Sequence, residues 1–218
     1  MKEYILFDLD GTLLDSMPYH AKSWIETLSE FGIPFEEKEV YIHEGALEIE
    51  VVKKIFRQKG VEVTTEFIKE LFERQKKLFT EKYACFVKPF PEAYPLLEEL
   101  KKKGKVLGLV TSSHEDVLKK VVPEDFLNYF DIVLTGEKTE RRKPHPEPYL
   151  RAVKALKVSE RDVLAVENSP AGVNSAKSAG LFCVGITTTL EPEFLKPPAD
   201  LVVPNHSELR KVLLNGKA

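Results

Sequence analysis

Residues 4–12 read Tyr4-Ile5-Leu6-Phe7-Asp8-Leu9-Asp10-Gly11-Thr12, a short apolar run followed by two aspartates and a glycine. An apolar run of this length that ends at turn signals predicts a buried β-strand. Side chains two positions apart on a strand share a face, so both carboxylates leave the strand's carboxyl end together. Carboxylates this close suppress each other's ionisation unless a cation lies between them. We therefore expect Mg²⁺ there, with one aspartate able to act as a nucleophile.

The composition is that of a globular protein. The chain has 218 residues, 43% hydrophobic and 31% charged, and a net charge of -3. It lacks the excess of basic residues that nucleic-acid and membrane-surface binders usually carry. It also lacks an apolar run of the roughly 18 residues needed to span a bilayer. No cationic leader precedes the first strand, so we expect no signal peptide. Cys85 and Cys183 lie in apolar contexts, which predict two buried thiols. We expect a cytoplasmic monomer with no nucleic-acid or membrane partner.

The two parts of the chain have different patterns. Helical spacing of apolar residues predicts a small bundle with helices at 18–31, 47–56 and 67–83. Helices and strands alternate from residue 89, with strands predicted at 106–110, 132–134, 163–166, 182–186 and 201–203. We predict an α/β fold with an open, doubly wound, Rossmann-like, mostly parallel sheet. Its core domain comprises 1–14 and 86–218, and a helical cap, 15–85, is inserted after the first strand.

Polar side chains follow several of these strands. In open α/β sheets, ligands bind outside the carboxyl ends of the strands, where loops from separate strands meet. Besides the two aspartates, the strand ends carry hydroxyls, a lysine and an acid-amide pair: Thr111, Ser112, Ser113, Lys143, Glu167, Asn168 and Ser169. Together these groups predict a metal site and a phosphate cradle.

Four stretches in this order resemble the motifs of the haloacid dehalogenase-like superfamily: 8–12, 111–112, 143–146 and 167–172. The resemblance covers essentially the whole chain. The helical insertion occupies the position of the cap in the β-phosphoglucomutase-like branch. The resemblance implies a phosphatase or phosphomutase that uses Mg²⁺.

The resemblance also implies roles for the strand-end residues. Asp8 would be the nucleophile that forms a phospho-aspartate, and Asp10 would be the acid and base. The metal ligands would be Asp8, the backbone carbonyl of Asp10, Glu167 and Asn168. Asn168 departs from the commonest family pattern, which has an acidic residue there, so it supplies no formal charge to the metal.

The phosphoryl oxygens would be held by the Thr111 hydroxyl, the Ser112 backbone amide and the Lys143 ammonium. Ser113 is interpreted as a cap of the following helix. Arg141 and Arg142 belong to a charged stretch and are predicted to be surface residues.

His20 and Trp24 lie four positions apart, hence on one face of a cap helix. They match a histidine and a tryptophan of the phosphoglucomutase cap, and both packing and substrate contact remain open for them. Gly45 lies in the cap loop and is predicted to contact substrate. Glu44 and Glu48 stand where that mutase has basic residues for a second phosphate, which favours hydrolysis of a monophosphate.

The leading functional prediction is a Mg²⁺-dependent phosphatase for a small phosphorylated metabolite, a sugar phosphate, acting through a phospho-aspartate. A β-phosphoglucomutase-like sugar-phosphate isomerase is the alternative. A phosphorylation-responsive signalling domain is a third hypothesis, but a substrate cap has no place in a docking module. The cap would open and close as a lid, with hinges at 14–16 and 87–89.

Overall fold

The computed structural model describes residues 2–45 and 49–215. Its six strands are β1 (Tyr4–Phe7), β2 (Val106–Val110), β3 (Ile132–Leu134), β4 (Val163–Glu167), β5 (Phe182–Ile186) and β6 (Leu201–Val203). They form one sheet in the order β3-β2-β1-β4-β5-β6, and every neighbouring pair is parallel. The predicted strands and the α/β fold class are confirmed. Strand order reverses at β1, and the carboxyl ends of β1 and β4 flank this switch point, where open sheets bind ligands.

The helices follow the predicted alternation. They are α1 (Met17–Ser29), α2 (Glu37–His43), α3 (Ile49–Gln58), α4 (Thr65–Leu78), α5 (Ala93–Lys102), α6 (Glu115–Val121), α7 (Glu124–Leu127), α8 (Glu147–Leu156), α9 (Pro170–Ser178), α10 (Pro192–Leu195) and α11 (His206–Asn215). The predicted helix 67–83 is α-helical only to Leu78, and a π-helical turn, Phe79–Tyr83, continues it. Residues 47 and 48 of the predicted helix 47–56 lie outside the described residues.

Both faces of the sheet are covered, as the period of a strand requires. Ile5 and Phe7 of β1 point into an apolar cluster with residues of α5, α6 and α11. Leu6, between them, points into a second cluster with residues of α8 and α9. The sheet is therefore doubly wound.

Helices α1, α3 and α4 contribute to an apolar cluster of their own, which includes Leu28, Phe56 and Leu71. The two chain crossings between this bundle and the sheet lie side by side. Leu14 pairs with Pro89 in an isolated antiparallel bridge, and the Asp15 N–H donates to the Lys88 carbonyl at 2.9 Å. This arrangement fits a cap joined through paired segments, and the boundaries at 15 and 85 stay a prediction.

One expectation about the cysteines is wrong. Cys183 is buried in β5, but Cys85 is exposed on the short 3₁₀ turn Ala84–Phe86. One side of that turn faces solvent, so the apolar residues around Cys85 in the sequence were a poor guide to the burial of its thiol. Among the described residues, no helix is both long and apolar enough to cross a bilayer.

Candidate active site

A buried lysine joins the ends of the two central strands. The Lys143 ammonium donates to Asp8 Oδ1 at 2.7 Å, to Glu167 Oε1 at 2.7 Å and to the Val110 carbonyl at 3.0 Å. Its side chain is only 2% exposed, and that of Glu167 is fully buried. All three ammonium protons are therefore used, and they fix one lysine between two carboxylates.

The turn after β1 places the second aspartate. Gly11 has φ +81, a left-handed conformation that favours glycine, and a Cβ there would overlap the Asn168 amide. The Thr12 hydroxyl lies 3.1 Å from Asp8 Oδ2 and 3.2 Å from Asn168 Oδ1. The turn thus packs directly onto the end of β4.

Asp10 lies in a cage of hydrogen-bond donors. Ser16 Oγ donates to Oδ1 at 2.7 Å, Ser113 Oγ donates to Oδ2 at 2.8 Å, and His20 Nε2 lies 3.3 Å from Oδ1. Burial acts to raise the pKa of Asp10, but the bond from His20 and those from the serines outweigh it and lower the pKa. Burial likewise acts to lower the pKa of His20, yet Asp10 raises it. The two groups form a partly buried ion pair that holds one proton.

The prediction that Ser113 caps the following helix is wrong. The residue preceding α6 is His114, and Ser113 serves Asp10 rather than the helix. Thr111 is buried at the end of β2, where its hydroxyl accepts the Ser113 N–H at 3.0 Å. This bond holds the loop in the shape that directs Ser113 toward Asp10.

A small cavity lies over these groups. It is lined by Asp8, Asp10, Glu44, Gly45, Ser112, Lys143, Asn168 and Ser169. The structure therefore brings most of the predicted site residues, including the cap residue Gly45, around one space. Thr111 and Glu167 are buried and do not line this cavity. The roles assigned to all of these residues stay predictions.

The oxygen atoms of this site fit a hard divalent cation. Glu167 Oε2 is buried and lacks a hydrogen-bond partner among the described residues. Burial and the nearby Glu167 raise the pKa of Asp8 to about 8, against the opposing effect of Lys143. Two acids thus face a single lysine, and an added cation would favour the ionised form of Asp8.

Few side chains of this site could ligate a metal. The described part of the chain holds no group of three or more His, Cys, Asp or Glu side chains arranged for a metal. Mg²⁺ needs few such ligands, since it keeps several waters and accepts carbonyl and amide oxygens. Asp8, the Asp10 carbonyl, Asn168 and the orphaned Glu167 oxygen are the atoms that can serve it here, directly or through water.

A second cavity, of about 290 Å³, extends from this site beneath the cap. His20 and Trp24 both line it. The His20 ring stacks on Phe79 at a centroid distance of 4.0 Å, and Trp24 meets Phe72 edge-on at 5.7 Å. Both residues therefore pack against cap aromatics and face the cavity at the same time. Glu44 and Ser112 line both cavities and mark where they join.

Sequence reasoning missed the contacts of Ser16 and Tyr149 and misplaced Arg142. The Tyr149 hydroxyl, buried on α8, donates to Glu167 Oε1 at 2.6 Å. Its apolar helix context gave no signal of that role. Arg142, predicted as a surface residue, is half-buried and lines the larger cavity, so that prediction is wrong. The available signal was the position of Arg142 directly before Lys143. Because Lys143 is held in a buried site, the residue next to it cannot lie far from that site.

Comparisons with known proteins agree with this geometry. The model of the family described as haloacid dehalogenase-like hydrolase matches residues 5–186. A phosphoglycolate phosphatase from Aquifex aeolicus is 35% identical over 81% of this chain and 80% of its own length. A phosphorylated carbohydrates phosphatase from Thermotoga maritima is 30% identical over 82% of each chain.

Solved structures extend the likeness to the fold. A candidate β-phosphoglucomutase from Bacteroides vulgatus is 28% identical, with a TM-score of 0.83 over 97% of this chain and 87% of that one. A hydrolase from Pseudomonas syringae, 23% identical, has a TM-score of 0.85 over the full length of both chains and supports the fold alone. On the match of the family model to most of its length, the chain belongs to the haloacid dehalogenase-like hydrolase family.

Proposed function

We propose that the chain is a Mg²⁺-dependent phosphatase that hydrolyses a small phosphorylated metabolite, a sugar phosphate or a similar ester, through a phospho-aspartate at Asp8. One observation carries the proposal: the Lys143 ammonium joins Asp8 to Glu167 beside the caged Asp10, under a cavity that leads into the cap. The related enzymes from Aquifex and Thermotoga, both named as phosphatases, support the same reaction class.

In the first step, a carboxylate oxygen of Asp8 forms a bond to phosphorus while the bond from phosphorus to the ester oxygen breaks. The leaving alkoxide takes a proton from Asp10. His20, whose Nε2 lies 3.3 Å from Asp10 Oδ1 and whose pKa Asp10 raises, is the group that can pass this proton to Asp10. Lys143 keeps Asp8 oriented and offsets negative charge that gathers on the phosphoryl oxygens.

In the second step, Asp10 removes a proton from water, and the resulting hydroxide attacks phosphorus. The bond from phosphorus to Asp8 breaks, inorganic phosphate leaves and the free carboxylate is restored. A bound Mg²⁺ would supply charge neutralisation between the anionic nucleophile and the anionic substrate. The Ser16 and Ser113 hydroxyls keep Asp10 positioned in both steps.

The cap contributes by excluding water. Two ion pairs join the cap to the core: Lys76, which lines the larger cavity, pairs with Asp116 at 2.7 Å, and Lys38 pairs with Glu191 at 2.9 Å. Such partly exposed pairs contribute only about 0–1 kcal/mol each. The cap can therefore open for substrate without a large energetic barrier from these contacts.

The test is release of inorganic phosphate from a panel of phosphate esters with Mg²⁺. We expect Asp8→Asn to abolish turnover, because the amide cannot act as the nucleophile. A matched control is Asp162→Asn, an exposed aspartate in the short turn that precedes β4, at the edge of the sheet opposite to the site. Wild-type turnover in Asp8→Asn would overturn the assignment.

A sugar-phosphate isomerase is the second candidate, favoured by the likeness to the candidate β-phosphoglucomutase. Glu44, which lines both cavities, disfavours it because an acid repels a second phosphate. The same assay separates the two functions. Net phosphate release supports hydrolysis, and an isomerised sugar phosphate without release supports the mutase.

A further inference from the structure

Arg142 is an arginine that forms no ion pair among the described residues. The Glu137 carboxylate favours its charge from a distance, but accepts its own hydrogen bonds from the Thr135 hydroxyl at 2.6 Å and the Glu115 N–H at 3.3 Å. Its Nη1 donates to the Ser112 carbonyl at 3.1 Å, and its Nη2 lies 2.6 Å from His114 Nε2. Both partners are uncharged acceptors when the His114 ring is neutral, and burial together with the Arg142 charge lowers the His114 pKa. Burial lowers the pKa of Arg142 despite the opposing effect of Glu137, and within residues 2–45 and 49–215 no carboxylate lies within ion-pair distance of the guanidinium. A half-buried cation in this state is incompletely compensated.

Several elements hold this guanidinium in one place. Arg142 directly precedes Lys143, which three hydrogen bonds fix beside Asp8. On the other side, a Cβ at Gly136 would overlap the Ser112 carbonyl and would lie 3.1 Å from Arg142 Nη1. The absence of a side chain at Gly136 therefore provides the space in which Arg142 bonds the Ser112 carbonyl.

The guanidinium faces the space that the remote part of a substrate would fill. Arg142 and His114 line the 290 Å³ cavity, and Ser112 links that cavity to the one over Asp8. Five N–H groups are available on an arginine, and the two described contacts occupy only two. The remaining donors suit a planar, bidentate oxygen acceptor.

Charge decides which acceptor fits. The cavity is lined by the cations Arg142 and Lys76 but also by Glu44 and Glu73. Lys76 is already paired with Asp116 at 2.7 Å. A second phosphate, with about two negative charges, meets more repulsion from the two acids than a carboxylate with one.

We propose that Arg142, positioned by Ser112 and His114, binds a carboxylate on the substrate, so that the preferred substrates are phosphate monoesters of hydroxy acids rather than of neutral polyols. This inference rests on the proposed phosphatase function and narrows its substrate class. Arg142 acts on the end of the substrate remote from phosphorus and takes no part in bond breaking.

The test compares esters that differ only in that group. One pair is 6-phosphogluconate with sorbitol 6-phosphate, and a shorter pair is 3-phosphoglycerate with glycerol 3-phosphate. We expect wild type to prefer the carboxylate member of at least one pair. Arg142→Gln lowers kcat/KM for that member by about 10–100-fold, mainly through KM, and leaves the neutral member within about 3-fold. Arg142→Lys keeps the positive charge but not the planar guanidinium that can donate two parallel hydrogen bonds, so it gives an intermediate loss of kcat/KM.

Arg141→Gln is the matched control, because Arg141 is the exposed neighbour. It leaves both members of each pair unchanged. Thermal midpoints of the Gln and Lys variants check folding, and calorimetric binding of the same esters to Asp8→Asn gives a readout that needs no turnover. Equal losses for both members, or no preference in wild type, overturn the role of Arg142 while phosphatase activity stands. Absence of hydrolysis and of binding for every ester overturns both proposals.

Discussion

Replacing Lys143 by methionine tests the electrostatic centre of the site. The substitution keeps an unbranched side chain of similar length but removes the ammonium that bonds Asp8, Glu167 and the Val110 carbonyl. The side chains involved are nearly inaccessible, at 2% exposed for Lys143, 11% for Asp8 and 0% for Glu167. Methionine therefore leaves two buried carboxylates facing each other with no cation between them.

The expected loss follows from that burial. Removing one partner of a buried ion pair destabilises a protein by about 3–5 kcal/mol. Protonation of Asp8, whose pKa burial and Glu167 raise to about 8, limits the loss at neutral pH. For a chain of this size, 1 kcal/mol shifts the thermal midpoint by about 2–4 °C, so Lys143→Met should lower it by about 6–20 °C.

The assay is urea unfolding in the presence of a chelator, so that no divalent cation replaces the lost charge. A double-mutant cycle with Asp8→Asn isolates the pairwise contribution, for which we expect a coupling of about 1–3 kcal/mol. Lys119→Met is the control, since Lys119 forms only an exposed pair with Glu115 at 2.8 Å. A loss in Lys143→Met no larger than in that control, or a coupling near zero, would refute the reasoning.

Four further changes probe the surrounding structure. Tyr149→Phe removes the hydrogen bond to Glu167 Oε1 and should lower the free energy of unfolding by about 1.5–3 kcal/mol in urea, whereas an unchanged midpoint would show the bond to be dispensable. Gly172→Ala places a Cβ against the Glu167 carboxylate, so it should weaken Mg²⁺ activation and cost about 1–3 kcal/mol; an unaltered magnesium titration would contradict this. Asn168→Asp adds a formal charge and should tighten Mg²⁺ binding about 10-fold, while an identical titration would place the residue out of reach of the metal. Burial acts to raise the pKa of Asp131, but its ion pair and a backbone hydrogen bond lower the pKa below its ordinary value of 3.8. A lowered pKa stabilises the fold above that ordinary value, so the advantage of wild type over Asp131→Asn in thermal midpoint should persist above pH ~4 and vanish as pH falls through the folded-state pKa; a gap independent of pH would exclude this linkage.

Much of the fold could be read from local patterns. The six strands were predictable because apolar runs bounded by turn residues have few alternatives, and their alternation with helices restricts the sheet to parallel crossovers. The places of Asp8 and Asp10 directly after β1 followed from the same pattern, as did the place of Lys143 in the connection after β3. Helix ends were less certain: the chain after Leu78 leaves the α-helix for a π-helical turn, although its apolar spacing continues.

Contacts between residues far apart in the chain could not be read in that way. Ser113 binds Asp10, Tyr149 binds Glu167, and Arg142 faces the substrate cavity, yet the sequence patterns assigned the first to a helix cap and the last to the surface. These contacts join residues from 18 to 103 positions apart.

The sequence by itself determined which strands form, where they end and which reactive groups stand there, because strand period and turn chemistry act over a few residues. Only the tertiary structure decided which side chains from distant parts of the chain meet those groups. Such meetings depend on the order of the strands in the sheet and on the docking of the cap, and no local pattern encodes either.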